Sequence, residues 1–348
     1  MDGILNLWKP PGMTSHDVVA LVRRLTGVRR VGHGGTLDPF AMGVLPVFLG
    51  HATRMVEYHL ADEKAYRASV VFGARSSTDD IDGQMTPGEA PPPSREAIEA
   101  ALADFRGPIV QVPPDHSAVH VDGRRAYQLA RQGERPRLAP RSVTIHALEL
   151  SGWDTADAGR PMAVLEVRCS AGTYVRSLAR DLGERLGCGA YLGALTRTAS
   201  GPFRLEDAHT LDLVREELAA GRLEPLLRPM DAGLSSIAEL RIGAHDREAL
   251  GRGQVIRVRE PATAESVVPA TPLATAGSGE PVAPVAMAGS GEPVAPVAMA
   301  GSGEPVAPAG AETGRLVRVT DESGRLVAMG HVRSGRLYPD KVFITPEA

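Results

Sequence analysis

The chain has 348 residues, a formal net charge of −4, 43% hydrophobic and 23% charged residues. This is the balance of a soluble globular protein with room for two domains. No run approaches the roughly 18 apolar residues of a membrane span, and MDGILNLWKPPGMTS lacks the basic start and apolar core of a secretory signal; with Cys169 and Cys188 in no CxxC pattern, a reduced cytoplasmic protein without structural zinc is expected.

In chain order, a helix is predicted over 15–25 (SHDVVALVRRL). Ser15 is its expected cap, Asp17 lies in the first turn, and Val18, Leu21, Val22 and Leu25 form its apolar stripe. Alternation and β-branched residues predict strands at 65–73, 142–150 and 162–170. A second helix starts after Pro93, with Ala97, Ile98, Ala101, Leu102 and Phe105 on one face. A third is YVRSLARDLGERLG, with Leu178, Leu182 and Leu186 at every fourth residue and Gly187 as its stop. Strands and helices mix without a βαβ rhythm, which predicts an α+β domain over 1–235. The remainder, 236–348, reads as a small β barrel or sandwich, with strands LVRVT and LVAMGHV separated by the turn DESG. It is interrupted at about 260–313 by copies of AGSGEPVAPVAM, whose composition predicts a disordered insertion.

The segment GHGGTLDPFAMGVLPVFLG (32–50) sets one carboxylate, Asp38, on a glycine-rich loop stiffened by Pro39, in front of an apolar run. Alone, this pattern also fits an ordinary turn aspartate. Cations cluster at Arg23, Arg24, Arg29 and Arg30, and again at Arg124, Arg125, Arg131, Arg135, Arg137 and Arg141. Either cluster reads as a phosphate-binding face or a solvated one. His116 and His120 follow two prolines and lie in an extended segment, and Asp79, Asp80, Asp82 and Gly83 lack the spacing of a calcium loop, so no metal site is predicted.

Six blocks in order carry a specific resemblance: GILNLWKPPGMTSHDVV, VGHGGTLDPFAMGVLPVFLGHATR, KAYRASVVFG with STDDIDG, QVPPDHSAVHVDGRRAYQLARQGE, RSVTIHALEL, and CSAGTYVRSLARDLG leading to YLGALTRTASGPF. Over residues 1–232 the chain resembles the TruB family of tRNA pseudouridine synthases. The resemblance implies an α+β catalytic domain with a mixed, mainly antiparallel central sheet flanked by helices, plus a β-rich, PUA-like RNA-binding domain at the C-terminus. It implies that Asp38 is the nucleophile, that Tyr66 lies against the target base and moves a proton, and that Arg176 pairs with Asp38. His33 would fill the stacking place of the extruded base, with Leu195 packed near that base and Tyr174 in the substrate-binding set. Lys9 is placed in the substrate-binding set as support from the first block, beside Pro10. Arg124, Arg125 and Arg131 fall in the segment that grips the T arm of tRNA in relatives, and the C-terminal module would contact the acceptor end. The reaction implied is conversion of uridine 55 to pseudouridine, a rearrangement needing no cofactor or metal, by a monomer without an obligate protein partner. Gly34, His116 and His120 depart from the usual Thr, Tyr and Lys. Two alternatives stay open: a guide-RNA-dependent synthase, and a tRNA-binding or folding protein without catalysis.

Overall fold

A computed structural model describes residues 1–258 and 314–344 except 118, 122, 135 and 136, with backbone alone at 120, 125 and 131. The expected insertion at 260–313 lies outside the described residues. The chain divides into two compact units, 1–237 and 238–348.

In the first unit the strands are β1 (Gly3–Lys9), β2 (Val31–His33), β3 (Met42–Leu49), β4 (Lys64–Phe72), β5 (Gly107–Gln111), β6 (Arg141–Asp154), β7 (Met162–Cys169) and β8 (Ala190–Ser200). They form one sheet in the order β1–β3–β8–β4–β7–β6–β5. Leu227–Arg228 extends it beyond β1, β2 adds to β3, and Phe203–Arg204 adds to β8. Every pairing is antiparallel except β3 with β8, which run parallel through Thr196↔Met42 and Arg197↔Gly43. The expected mixed, mainly antiparallel sheet is therefore present.

Strand β4 shows why alternation becomes a sheet here. Tyr66, Ala68, Val70 and Phe72 all point to one buried face, and Arg67 points out to pair with Glu166 at 2.7 Å. Helices α1 (Ser15–Thr26), α2 (Arg95–Leu102), α3 (Val175–Arg185) and α4 (Leu211–Ala219) lie against the sheet. Val18, Val19 and Val22 of α1 and Val214 of α4 pack on Leu5, Leu7, Leu45, Val47 and Leu49. Ile98 and Leu102 of α2 and Leu178 and Leu182 of α3 pack on Phe72, Leu148, Leu165 and Leu192. Burying each such side chain contributes about 1.5–3 kcal/mol, so the apolar stripes rather than helix propensity hold these helices.

The cap of α1 corrects the sequence expectation. Thr14, not Ser15, is the N-cap: its hydroxyl accepts from Asp17 N at 3.0 Å while Asp17 Oδ2 accepts from Thr14 N at 2.9 Å. Ser15 is buried and serves the Asp38 loop instead.

The parallel β3–β8 contact depends on Gly43. Its φ is +105°, and a Cβ there would lie 2.3 Å from the carbonyl oxygen of Arg197. Gly43→Ala is expected to destabilise the unit by at least about 2 kcal/mol. A melting temperature unchanged from wild type in calorimetry would contradict that.

The second unit brings together strands from both sides of the insertion: β9 (Ala238–Arg241), β10 (Ile256–Arg257), β11 (Arg315–Thr320), β12 (Leu326–Arg333) and β13 (Arg336–Val342), in the order β9–β11–β12–β13–β10. With helix α5 (Ala244–Gly251), they enclose a core of Ile242, Leu250, Ile256, Val317, Val319, Val327, Ala328 and Leu337. This unit is one five-stranded sheet with a helix.

Candidate active site

Asp38 sits on the loop between β2 and β3, and side chains from distant elements hold that loop. Ser15 Oγ accepts from Leu37 N at 2.8 Å and donates to Leu37 O at 3.1 Å. Gly12 N donates to Pro39 O at 2.8 Å, and Ala41 N to Asp38 O at 3.1 Å. Lys9 is fully buried at the end of β1, and its ammonium donates to Met13 O (2.5 Å), Pro10 O (2.9 Å) and Pro39 O (3.3 Å). Burial lowers its pKa to about 8. All three N–H groups are occupied by carbonyls and no surface is open, so Lys9 supports the loop that carries Asp38.

The guanidinium of Arg176 faces Asp38 from the first turn of α3. The start of that helix is fixed by an amide pair, since Tyr174 N donates to Gln111 Oε1 at 3.0 Å and Gln111 Nε2 to Tyr174 O at 3.2 Å. Arg176 is 5% exposed and its nitrogens reach five acceptors. Nη2 donates to Asp38 Oδ1 at 3.1 Å, and Nε makes an ion-pair contact with Asp38 Oδ2 at 3.0 Å. Nη1 donates to Asp80 Oδ2 at 3.2 Å and Thr78 O at 3.3 Å, and Nη2 also donates to His116 O at 3.0 Å. One hydrogen bond and one ion-pair contact, one to each oxygen, hold the carboxylate against the guanidinium. Because His116 contributes its carbonyl, the departure from Tyr there leaves this contact intact.

Asp80, which in the sequence stands only in an acidic stretch without calcium-loop spacing, is a buried carboxylate. Its other oxygen accepts from Thr78 Oγ1 (2.5 Å) and Asp82 N (3.1 Å). Arg176 is thus a cation shared between two acids, one buried and one with 32% of its side chain still open.

Burial pushes the Asp38 carboxyl above its ordinary value of 3.8; Arg176 opposes that rise, and the negative charge of Asp80 adds to it. If ionised Asp38 is required, activity is complete only well above its raised pKa and is lost as pH falls through it. The acid limb of single-turnover rate against pH is therefore expected above 3.8, and Asp80→Asn, which removes a like charge, should move that limb to lower pH. An unmoved limb would separate Asp38 ionisation from the rate.

Tyr66 lies across β4 from β8, with its Cα directly opposite Arg197 and with Ala68 opposite Leu195. Leu195 is buried in the same core cluster as Leu37 and Tyr66. Burial raises the pKa of the Tyr66 hydroxyl, against the opposing pull of the Arg197 cation. Arg197 is 1% exposed and donates to Val44 O at 2.7 Å, Gly35 O at 3.1 Å and Thr36 O at 3.5 Å. Sequence reasoning missed it. The available signal was its position two residues after the buried Leu195 on one strand, which places it on the inward face.

His33 is at the end of β2, and its Nδ1 accepts from Gly35 N at 3.3 Å, so the neutral ring carries its proton on Nε2. Burial, then the charge of Arg197, lowers its pKa, which favours a neutral ring suited to stacking. Gly34, beside it, packs so closely that a Cβ would come 3.0 Å from the Phe48 ring, so the usual Thr could enter only if that ring moved. Tyr174 is the residue before α3, and its ring lies under the Arg141 guanidinium at 5.4 Å from the centroid.

In the Arg-rich segment, a short hairpin pairs His120 with Arg125 and Val121 with Arg124, and the helix Ala126–Arg131 follows. Arg124 contacts Gln132 Oε1 and lies 3.6 Å from Glu134 Oε1. The side chains of Arg125 and Arg131 lie outside the described residues. Among the described residues no three His, Cys, Asp or Glu side chains are grouped so as to hold a metal ion.

Residues 23–175 match the model of the TruB family pseudouridylate synthase N-terminal domain, and residues 176–235 match that of the tRNA pseudouridylate synthase B C-terminal domain. The chain is 48% identical over 260 residues to tRNA pseudouridine synthase B of Symbiobacterium thermophilum, covering 74% of this chain and 84% of that one. It is 46% identical over 255 residues to the protein of the same name from Heliobacterium modesticaldum, covering 73% and 81%. In fold it is similar to a chain of a Cbf5-Nop10-Gar1 complex, with a TM-score of 0.63 and 24% identity, covering 99% of this chain and 85% of that one. It is likewise similar to a chain of an H/ACA RNP bound to a substrate RNA containing 2′-deoxyuridine, with a TM-score of 0.64 and 24% identity, covering 99% and 86%.

Proposed function

The chain belongs to the TruB family of pseudouridine synthases and is a tRNA-modifying enzyme, and from that premise we propose that it converts uridine 55 in the T loop of tRNA by a cofactor-free route with Asp38 as nucleophile. The observation that carries this reading is the Asp38 carboxylate, held by a hydrogen bond from Arg176 Nη2 and an ion-pair contact with its Nε, and still partly open on its other side.

Pseudouridine formation breaks the bond from C1′ to N1, turns the uracil and rejoins it through C5. Nothing is oxidised and no group is transferred to another molecule, so a nucleophile that holds one fragment while the other turns is enough. A carboxylate already held by the guanidinium needs little reorganisation as the bond breaks. A uridine stacked in an RNA loop must first be flipped out, which costs roughly a few kcal/mol. The neutral His33 ring is proposed to take its stacking place, with Leu195 and Tyr174 near the base and Tyr66 against it.

The Arg-rich segment is proposed to grip the phosphates of the T arm. The Arg124→Ala/Arg125→Ala/Arg131→Ala chain is expected to bind tRNA more weakly and to show a shallower dependence of log Kd on log salt, by about 0.7–0.9 for each phosphate that is no longer neutralised. Equal affinity across salt would remove the gripping role. We propose a catalytic domain over 1–235 and a PUA-like RNA-binding domain over 236–348 directed at the acceptor end, acting as a cytoplasmic monomer.

The test is direct: purified protein, an unmodified tRNA transcript, no added metal or guide RNA, and mapping of pseudouridine. Modification at position 55 alone supports the reading. Modification only when a guide RNA is supplied would favour the guide-dependent alternative, and binding without modification would favour a tRNA-folding protein.

A further inference from the structure

We propose that Arg180 is a positioning residue that fastens the root of the Arg-rich segment to the helix facing Asp38, so that RNA held by the segment is delivered in register with the carboxylate. The proposal rests on the reading of that segment as the grip on tRNA.

The Arg-rich segment is the long loop of the β5–β6 hairpin. The hairpin closes where Gln111 lies opposite Arg141, and both residues meet Tyr174, the residue before α3. The first stretch of the loop then runs against α3. Val112 O accepts from Ser177 Oγ at 2.8 Å and from Arg180 Nη2 at 2.9 Å, and His116 O accepts from Arg176 Nη2 at 3.0 Å. The helix that presents a guanidinium to Asp38 is therefore also the one on which the loop root is fastened.

Arg180 has a second attachment. Its Nη1 donates to Asp79 Oδ2 at 2.9 Å, just as Arg176 Nη1 donates to Asp80 Oδ2 at 3.2 Å. Arg176 and Arg180 are one helical turn apart and share a face of α3, whereas adjacent residues of an extended chain would point to opposite sides. Asp79 resolves this with φ +62°, in the left-handed region that aspartate tolerates better than most residues. Its carbonyl accepts from Leu192 N of β8 at 3.0 Å. The acidic turn whose spacing argued against calcium is thus anchored on the sheet and holds two guanidiniums, and other N–H groups of those guanidiniums hold the loop root. A planar fork can serve an acid and a carbonyl at once. With Arg180 and Asp79 only 26% and 16% open at the side chain, this is not a free surface pair. Misplacing reacting groups by about 1 Å can cost about 10²-fold in rate, so fastening the root bears on rate, while affinity comes from phosphate contacts farther along the loop.

The test places Arg180→Met, and Asp79→Asn/Arg180→Met in which no carboxylate is stranded, in two backgrounds: the native chain and the Arg124→Ala/Arg125→Ala/Arg131→Ala chain. Filter binding gives Kd for an unmodified tRNA transcript, and single-turnover conversion is followed at saturating protein. In the native background both variants are expected to convert about 10–50-fold more slowly, with Kd within about threefold of wild type. In the triple-Ala background the same changes should add less than about threefold, because the grip they would misplace is gone. Equal losses in both backgrounds would reduce Arg180 to a stabiliser of α3. A weaker Kd with an unchanged saturated rate would make it a plain RNA contact, and a saturated rate within twofold of wild type would remove the role altogether. Should Arg180→Met fail to fold, the charge-free double variant decides alone. The triple-Ala chain by itself distinguishes the underlying reading: affinity equal to wild type across salt would mean that there is no grip to position.

Discussion

Asp38→Asn is expected to lose at least about 10³-fold in turnover while binding tRNA with an affinity within about twofold of wild type. The substitution keeps the size and outline of the side chain but removes its charge and nucleophilicity. RNA affinity, if it arises from Arg contacts with phosphates across a wide surface, does not pass through this carboxylate. An NH₂ group in place of one oxygen would face an Arg176 N–H, so one contact is lost; Asp80 remains to hold the guanidinium. The measurement pairs pseudouridine formation under single-turnover conditions with filter binding on the same preparation. Turnover within tenfold of wild type would show that the carboxylate is not the nucleophile, and a parallel loss of binding would show that the residue is needed to build the site.

The second large effect is expected at Arg176. Arg176→Lys keeps the positive charge but replaces a planar fork reaching five acceptors with an ammonium that has three N–H groups. Lysine cannot clasp both Asp38 oxygens and also hold Asp80, Thr78 O and His116 O. Turnover is expected to fall by about 10²–10³-fold, as when a preorganised donor is removed, with stability reduced by about 1–3 kcal/mol because buried Asp80 and the carbonyls lose partners. Turnover within threefold of wild type would mean that charge alone, and not the fork, is what Asp38 needs.

Much of the secondary structure was legible from local pattern. The stripe Val18, Leu21, Val22 and Leu25 predicted a helix at 15–25, and it spans Ser15–Thr26. Alternation predicted a strand at 65–73, and it spans Lys64–Phe72. These elements are legible because a helix or strand must present apolar side chains at its own period to be buried at all. The cap of the first helix was misplaced by one residue because Thr14 and Ser15 both carry hydroxyls, and only the packing of α1 on the Asp38 loop directs Ser15 to Leu37. Asp38 was singled out by glycines and a proline within a few residues of it, and Arg176 by the ordered family blocks. Asp80 and Arg197 were not found, because each acts through partners about a hundred residues away or more, and nothing in their neighbours names those partners.

The sequence by itself determined the α+β class, the apolar faces, the loop that carries Asp38 and the membership of a family. These depend on periodicity and short-range chemistry, which the chain states locally. The tertiary structure alone decided which charges meet: that one guanidinium is shared by Asp38 and Asp80, that Lys9 spends its ammonium on carbonyls, and that the Arg197 guanidinium is satisfied by carbonyls on either side of Asp38. Strand order and register bring these groups within hydrogen-bond reach, and in a buried, weakly polarisable setting a difference of about one ångström or one residue decides whether a charge is paired or costly.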